Sequence, residues 1–334
     1  MIGELLAGSG ALTLLERVIG TGGIIAYHSV TREPFLPSVH VTGHSLAAQL
    51  EFLTARYRVV PLRDLIDRRR TGRSVRGCVA VTFDDAYVSV LDVALPLLER
   101  YGVPATVFVP TSYCRTGSRF WWDRLGWVTA RGGPFVAERA LSAACGVPAG
   151  THEEVLAAMV ASRAGRLDAG TEAELSAAEH QTGAVPERSL SESELGILAH
   201  AALIDFGCHT QTHPALPLLS FAEQRSEIAN SYHWLRDRLP RVHRYLAYPF
   251  GLYERSTVKA ACDAGMDAAF SMEGRAAGPR FDTFTCPRIG VAEVNTLRGL
   301  RLRLGWFSVP MLIWRHGGRH PHVPRTVRAL PMEA

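Results

Sequence analysis

The chain has 334 residues, of which 47% are hydrophobic and 20% are charged, and its formal net charge is +4. This composition excludes a small disulfide-stapled scaffold and a wholly disordered chain, and the length allows one large domain or two modest ones. Because the net charge is small and the arginines are spread along the chain, nothing indicates nucleic-acid binding.

The amino-terminal region, residues 1–21, is predicted to be a helix. Glu4 precedes its apolar stretch and Glu16-Arg17 follows it, which argues against a signal peptide. The six cysteines are scattered with no Cys-x-x-Cys pair, which favours a reduced compartment over a structural zinc site. We therefore expect a cytoplasmic protein.

A first strand, from Ile24 to Tyr27, delivers His28 at its end. A single histidine in such a place is usually structural. The spacing of apolar residues after Ser45 then predicts a helix, followed by a strand over residues 57–62 and a short helix over residues 63–69.

The next strand, Val79 to Phe83, ends in the adjacent carboxylates Asp84 and Asp85. A backbone turn at the carboxyl end of a strand would let both acids face one cleft, where one can hold a metal ion and the other can accept a proton. The alternative is a helix N-cap before the apolar segment 88–98. A strand over residues 105–109 follows, so strands and helices alternate. This order predicts a parallel sheet, open or closed into a barrel, with ligand sites at the carboxyl ends of its strands.

Residues 116–191 interrupt the alternation and are predicted to be a helical insertion, because the segment has helical spacing and no convincing strand. Near its start, Trp121 and Trp122 would suit a wall on which a sugar stacks. Packing against the parent domain is the alternative use for these large aromatic side chains.

After a strand over residues 203–208, His209 and His213 stand four residues apart. Pro214 favours an extended conformation for His213, so the second histidine would return over a tight loop. Two imidazoles and one carboxylate are the three protein ligands typical of a catalytic zinc. Two polar loop residues without a metal are the alternative.

The rest of the chain continues the alternation of helices and strands. Predicted elements are a helix over 220–239, a strand over 245–248, a turn at 249–251, a helix over 254–264, and strands over 268–271 and 284–291. Residues 296–334 form a basic, aromatic tail. This tail either contacts an anionic membrane peripherally or closes the fold as a packed helix.

Three motifs stand at predicted strand ends: Thr82-Phe83-Asp84-Asp85, His209-Thr210-Gln211-Thr212-His213 and Ala247-Tyr248-Pro249-Phe250-Gly251. Together they resemble the polysaccharide deacetylases of carbohydrate esterase family four, over roughly residues 22–291 without the insertion. The resemblance implies an α/β fold, a distorted (β/α) barrel spanning residues 22–295. It also implies Asp84 as general base, with Asp85, His209 and His213 as ligands of Zn²⁺ or of another divalent ion such as Co²⁺, Mn²⁺ or Ni²⁺.

The strand that ends at His28 resembles the opening of a circularly permuted branch, whose members deacetylate bacterial exopolysaccharides. That resemblance implies His28 as the general acid. Ala86 departs from the family by replacing a glycine, a mild change if its φ stays negative. Ala247 stands where many members have an arginine, and Arg288 is our candidate to supply that charge, with a structural ion pair as the alternative. The fourth motif of the family is not recognisable.

The resemblance further implies that Tyr248, Trp122 and the Phe250 backbone N–H line the substrate and oxyanion site. We therefore expect a metal-dependent hydrolase that removes the acetyl group from an amino sugar in a polysaccharide, oligosaccharide or glycan precursor. A deacetylase of a small natural product, or an inactive carbohydrate-binding relative, are the alternatives.

Overall fold

The computed structural model describes residues 23–32, 34–36, 38–132, 160, 164–274, 276 and 281–305. The predicted amino-terminal helix, much of the predicted insertion and the tail beyond residue 305 lie outside these residues. Within the described ranges, no helix combines the length and the apolar character needed to cross a membrane.

Eight parallel strands form a nearly closed barrel, in the spatial order β10-β9-β8-β7-β6-β5-β1-β11. β4 pairs with β5 outside this path, and β2 and β3 form a separate small sheet. The strands are β1 Gly23–Tyr27, β2 Val30–Thr31, β3 Val41–Thr42, β4 Arg58–Val59, β5 Cys78–Phe83, β6 Ala105–Val109, β7 Ile204–Cys208, β8 Val242–Ala247, β9 Ala268–Ser271, β10 Cys286–Pro287 and β11 Ile289–Gly290.

Helices connect most of the barrel strands, as a parallel sheet requires. They are α1 Gly43–Arg56, α2 Leu62–Arg70, α3 Leu95–Tyr101, α4 Thr111–Thr116, α5 Trp121–Gly132, α6 Ala169–Thr182, α7 Glu192–Leu198, α8 Phe221–Arg236, α9 Arg255–Asp263 and α10 Leu297–Gly305. A π-helical turn, Val90–Ala94, leads into α3. The predicted barrel is therefore confirmed, with the predicted strand over residues 57–62 reduced to β4.

Arg288 links the two strands at opposite ends of the strand order, where the barrel comes close to closing. The sequence predicts one strand over 284–291, but the structure has two: β10 pairs with β9, and β11 pairs with β1 at the other end of the strand order. Arg288 stands between them. The single-strand prediction is wrong because the chain must cross from one edge of the sheet to the other.

The strand register brings the polar strand ends to one mouth of the barrel. Tyr27 pairs with Phe83, so His28 and Asp84 follow at the same level, and Val109 pairs with Cys208, which precedes His209. The strands below are buried on both faces, as their apolar sequences predict. Histidine and carboxylate side chains therefore gather where the apolar interior ends.

The first part of the carboxyl-terminal segment follows the packed-helix interpretation. In α10, Leu300 and Leu304 are buried and Arg303 donates to the carbonyl oxygen of Gly290. A Cβ atom added to Gly23 would lie only 2.5 Å from Leu304 Cδ2, so the helix packs directly on β1. Membrane contact by residues beyond 305 stays a prediction.

Candidate metal and catalytic site

Left-handed backbone at the end of β5 brings both carboxylates into the barrel mouth. Asp85 has φ 67° and Ala86 has φ 48°. The condition under which replacing glycine by Ala86 would be mild, a negative φ, is therefore not met, and this alanine adopts a conformation that glycine takes with less strain. The N-cap alternative is wrong, because no helix begins at this pair and the first helical turn has its N-cap at Ser89.

Asp84 is held by a buried, two-pronged ion pair with Arg288. Nη1 and Nη2 of Arg288 each donate to one carboxylate oxygen of Asp84, both at 2.7 Å, and Arg288 is 0% exposed. The guanidinium also donates to Thr82 Oγ1 at 3.2 Å and lies over the ring of Phe108. Arg288 thus supplies a charge beside the proposed base, although it comes from the closure of the barrel and not from position 247.

Arg288→Met is expected to lower the free energy of unfolding by about 3–5 kcal/mol, because Asp84 is then a buried carboxylate without its partner. Adding Asp84→Asn should recover part of this loss, since no unpaired charge remains. Urea unfolding measures both. Lys259→Met is the control, because Lys259 pairs with Asp263 while its side chain is 66% exposed, and we expect a loss below about 1 kcal/mol. Equal losses in the two single variants would contradict the prediction.

The pKa values of the site residues are shifted away from their ordinary values. Burial raises the pKa of Asp84 and is the largest influence, but the charges of Arg288 and His209, with the hydrogen bonds from Arg288, lower it to about 2. Burial and then the charge of Asp84 raise the pKa of Asp85 well above its usual range. Burial lowers the pKa of His209 to about 4 and that of His213 well below its usual range. Both imidazoles are therefore neutral at pH 7, as metal ligands must be.

The loop after β7 presents both histidines with their Nε2 atoms together. Nδ1 of His209 lies 2.8 Å from the carbonyl oxygen of Ala247, so this nitrogen is the donor and Nε2 carries the lone pair. His213 has φ 55°, so the prediction of an extended conformation before Pro214 is wrong. The histidine does return over a tight loop, in which its N–H donates to Thr210 Oγ1 at 3.1 Å.

Asp85, His209 and His213 present one ligand atom each within 4.8 Å of one another, and all three side chains are buried. The two Nε2 atoms are 3.1 Å apart, and Oδ1 of Asp85 lies 3.6 Å from His209 Nε2 and 3.5 Å from His213 Nε2. Two ligand atoms about 2.1 Å from one tetrahedral zinc ion lie about 3.4 Å apart. Among the residues that the structure describes, Oδ1 of Asp85 also has no hydrogen-bond partner, although it is buried. These residues therefore fit a divalent cation.

Aromatic rings enclose His213. Its ring lies 4.8 Å from Trp122 and 4.7 Å from Phe250, measured between ring centroids. Trp122 is only 7% exposed, stacks on Phe120 and donates to the hydroxyl of Tyr87 at 3.2 Å. The structure therefore favours packing over the predicted sugar-stacking role for Trp122.

The polar groups of Tyr248 are hydrogen-bonded within the protein. Its N–H donates to Phe270, its carbonyl accepts from Gly251, and its hydroxyl donates to Phe284. The tyrosine side chain is fully buried, and its assignment to the substrate site stays a prediction. Phe250 has φ 57° within that turn, and its backbone N–H as an oxyanion donor stays a prediction.

His28 lies at the same mouth as the other predicted site residues. Its charge contributes to lowering the pKa values of Asp84, His209 and His213, which requires proximity to all three. Its assignment as an acid stays a prediction.

Sequence reasoning missed the groups that support these residues. Asp123 is fully buried, accepts from the Tyr87 hydroxyl at 2.8 Å and lies 3.3 Å from His40 Nε2. Glu227 accepts hydrogen bonds from the loop between His209 and His213. Both acids lie on predicted helices without a recognised motif, so their spacing carries no signal of this role.

Several comparisons place the chain among known proteins. A deacetylase from Streptococcus pyogenes, PplD, solved in complex with acetate, has a TM-score of 0.57 at 16% identity, covering 85% of this chain and 98% of that chain. IcaB from Ammonifex degensii has a TM-score of 0.56 at 18% identity, covering 86% of this chain and 97% of that chain. These similarities show the fold.

In sequence, a poly-beta-1,6-N-acetyl-D-glucosamine N-deacetylase of Staphylococcus epidermidis is 22% identical over 262 residues, which cover 76% of this chain and 68% of that protein. The family model for polysaccharide deacetylase matches residues 71–161 and 169–269, a span that contains Asp84, Asp85 and both histidines of the loop. Because this match covers more than half of the chain, the protein belongs to the polysaccharide deacetylase family.

Proposed function

We propose that this protein is a metal-dependent N-deacetylase that hydrolyses the acetamido group of an amino sugar in a glycan. One observation carries the proposal: Asp85, His209 and His213 converge beside Asp84, whose carboxylate is ion-paired to Arg288. A cation site next to an ionised acid suits attack of water on an amide carbonyl.

Asp84 takes the proton of the attacking water. Its low pKa keeps it ionised at neutral pH, but also makes it a weak base. Asp85, His209 and His213 would hold a divalent ion, which would lower the pKa of the attacking water enough for a weak base and would polarise the carbonyl. Arg288 orients the carboxylate, and lone pairs remain on both oxygens for the incoming proton.

His28 donates a proton to the leaving amine, because an unprotonated amide nitrogen is a poor leaving group. This assignment rests on its position at the end of β1 and on the resemblance to the permuted branch. The Phe250 backbone N–H is our candidate donor to the developing oxyanion, at a turn that directly borders His213.

We propose a glycan containing N-acetylglucosamine as the substrate class, since the relative from Staphylococcus epidermidis is named for poly-beta-1,6-N-acetyl-D-glucosamine. Action on a small acetylated natural product is the second candidate for the same chemistry. Cytoplasmic localisation stays a proposal from the sequence.

Acetate release from β-1,6-linked N-acetylglucosamine oligomers tests the proposal. Purified protein is stripped with a chelator and reloaded with Zn²⁺, Co²⁺, Mn²⁺ or Ni²⁺, and acetate is assayed against a panel of small acetamides. We expect metal-dependent release from the oligomers. Acetate release only from small acetamides would change the substrate class, and a protein that binds no divalent ion and releases no acetate would leave only carbohydrate binding.

A further inference from the structure

The loop between the two histidine ligands needs support that neither histidine provides. Thr210 has φ 66° and His213 has φ 55°, both in the left-handed region that non-glycine residues rarely occupy. Each such residue costs on the order of 1 kcal/mol or more, so the loop keeps this shape only where other contacts hold it.

His213 depends on this support more than His209 does. Nδ1 of His209 is fixed by its hydrogen bond to the Ala247 carbonyl, whereas Nδ1 of His213 is buried without a hydrogen-bond partner in the described part of the chain. Ring packing against Trp122 and Phe250 restricts the imidazole but gives it no directional bond. The position of Nε2 in His213 is therefore set largely by the backbone that carries it.

The carboxylate of Glu227, from the second turn of α8, holds that backbone. Oε2 accepts from the N–H groups of Gln211 and Thr212, both at 2.9 Å, and Oε1 accepts from Thr212 Oγ1 at 2.6 Å. Gln211 and Thr212 are two of the three residues between the ligands. Glu227 is only 7% exposed, so water competes little for these bonds.

The guanidinium of Arg166 also contacts the Glu227 carboxylate. Nη2 of Arg166 donates to Oε1 of Glu227 at 3.1 Å. Arg166 and Thr212 both line a cavity of about 410 Å³ whose wall also includes Trp121. The charged pair thus joins the segment before α6 to the histidine loop, and the Glu227 carboxylate accepts four hydrogen bonds in all.

We propose that Glu227 is a positioning residue for metal binding: it holds the strained loop so that Nε2 of His213 stands beside Nε2 of His209. The inference rests on the proposed function only in taking Asp85, His209 and His213 as the ligands. Groups that orient a ligand without touching the metal typically contribute 10–100-fold in affinity.

The test measures Zn²⁺ affinity by competition with a chromophoric chelator, and the visible absorption spectrum of the Co²⁺-loaded protein. Glu227→Ala is expected to weaken Zn²⁺ binding about 10–100-fold and to alter the Co²⁺ spectrum. Glu227→Gln keeps one acceptor oxygen and should bind Zn²⁺ with intermediate affinity. Glu223→Gln is the matched control, because Glu223 lies one turn earlier on α8 and caps the helix at Ser220 without touching the loop. It should lower the melting temperature but leave the Zn²⁺ affinity unchanged.

Thr212→Val provides a second variant if Glu227→Ala does not fold, since it removes only the hydroxyl that Glu227 Oε1 accepts. We expect weaker Zn²⁺ binding in Thr212→Val, and in Glu227→Ala/Thr212→Val a loss smaller than the product of the single losses. Unchanged Zn²⁺ affinity in folded Glu227→Ala, or in Thr212→Val and Glu227→Gln together, would overturn the inference. Failure of the parent protein to bind Zn²⁺ would instead reject the proposed function.

Discussion

Asp84→Asn is expected to bind the divalent ion with the affinity of the parent protein and to lose acetate release by about 100-fold or more. The amide side chain is nearly isosteric with the carboxylate but cannot accept the proton of the attacking water. The three ligand side chains are untouched, so metal content separates loss of the base from loss of the site. Turnover is measured as acetate release per loaded site, with metal content determined by elemental analysis.

Asp205→Asn is the matched control for Asp84→Asn. Asp205 is also a buried, ion-paired strand aspartate, held by Arg63 and lying 3.3 Å from His243 Nε2, but it stands near the amino end of β7, away from the barrel mouth. We expect this control to lose stability and to keep its turnover. If metal-loaded Asp84→Asn turned over within about threefold of the parent, Asp84 would not be the base.

His209→Ala is expected to lose both metal and turnover. It removes one of the three ligand atoms and leaves Asp85 and His213, which we expect to bind Zn²⁺ about 100-fold or more weakly. Chelator competition measures the affinity, and acetate release is then assayed at a metal concentration that saturates the parent protein. The pattern differs from that of Asp84→Asn, in which metal is kept.

His243→Ala controls for removing a histidine from the same barrel. His243 lies near the amino end of β8, beside Asp205, and does not touch the proposed site. Its metal content and turnover should equal those of the parent. A folded, metal-free His209→Ala that released acetate at the parent rate would show that the metal mechanism is wrong.

Much of the site is predictable from sequence because most of its acids and histidines belong to short local motifs. Asp84-Asp85 ends an apolar strand, and His209 and His213 follow another, so the parallel order of strands already predicts that these groups share one edge. The structure brings Asp85, His209 and His213 together as predicted. Arg288 was recognisable only as a candidate, since no spacing links residue 288 to residue 84.

Backbone conformation was less accessible to sequence reasoning. His213 was expected to be extended, yet its φ angle is 55°, and Ala86, whose conformation the sequence left open, has φ 48°. Local preference favours the other choice, but contacts elsewhere in the fold stabilise these conformations. The sequence also gives no sign that the hydroxyl of Tyr248 donates to the carbonyl oxygen of Phe284.

The sequence by itself determined the alternating strands and helices, the acids and imidazoles at the strand ends, and the kind of cation such ligands suit. Hydrophobic periodicity and ligand chemistry are local properties, so they can be recognised without knowledge of the fold. Only the tertiary structure decided that Arg288 forms an ion pair with Asp84 where the barrel closes. It also decided that Glu227 accepts hydrogen bonds from the loop between the histidines. These contacts join residues far apart along the chain or on separate elements, and their existence depends on how the sheet curves and where each helix packs.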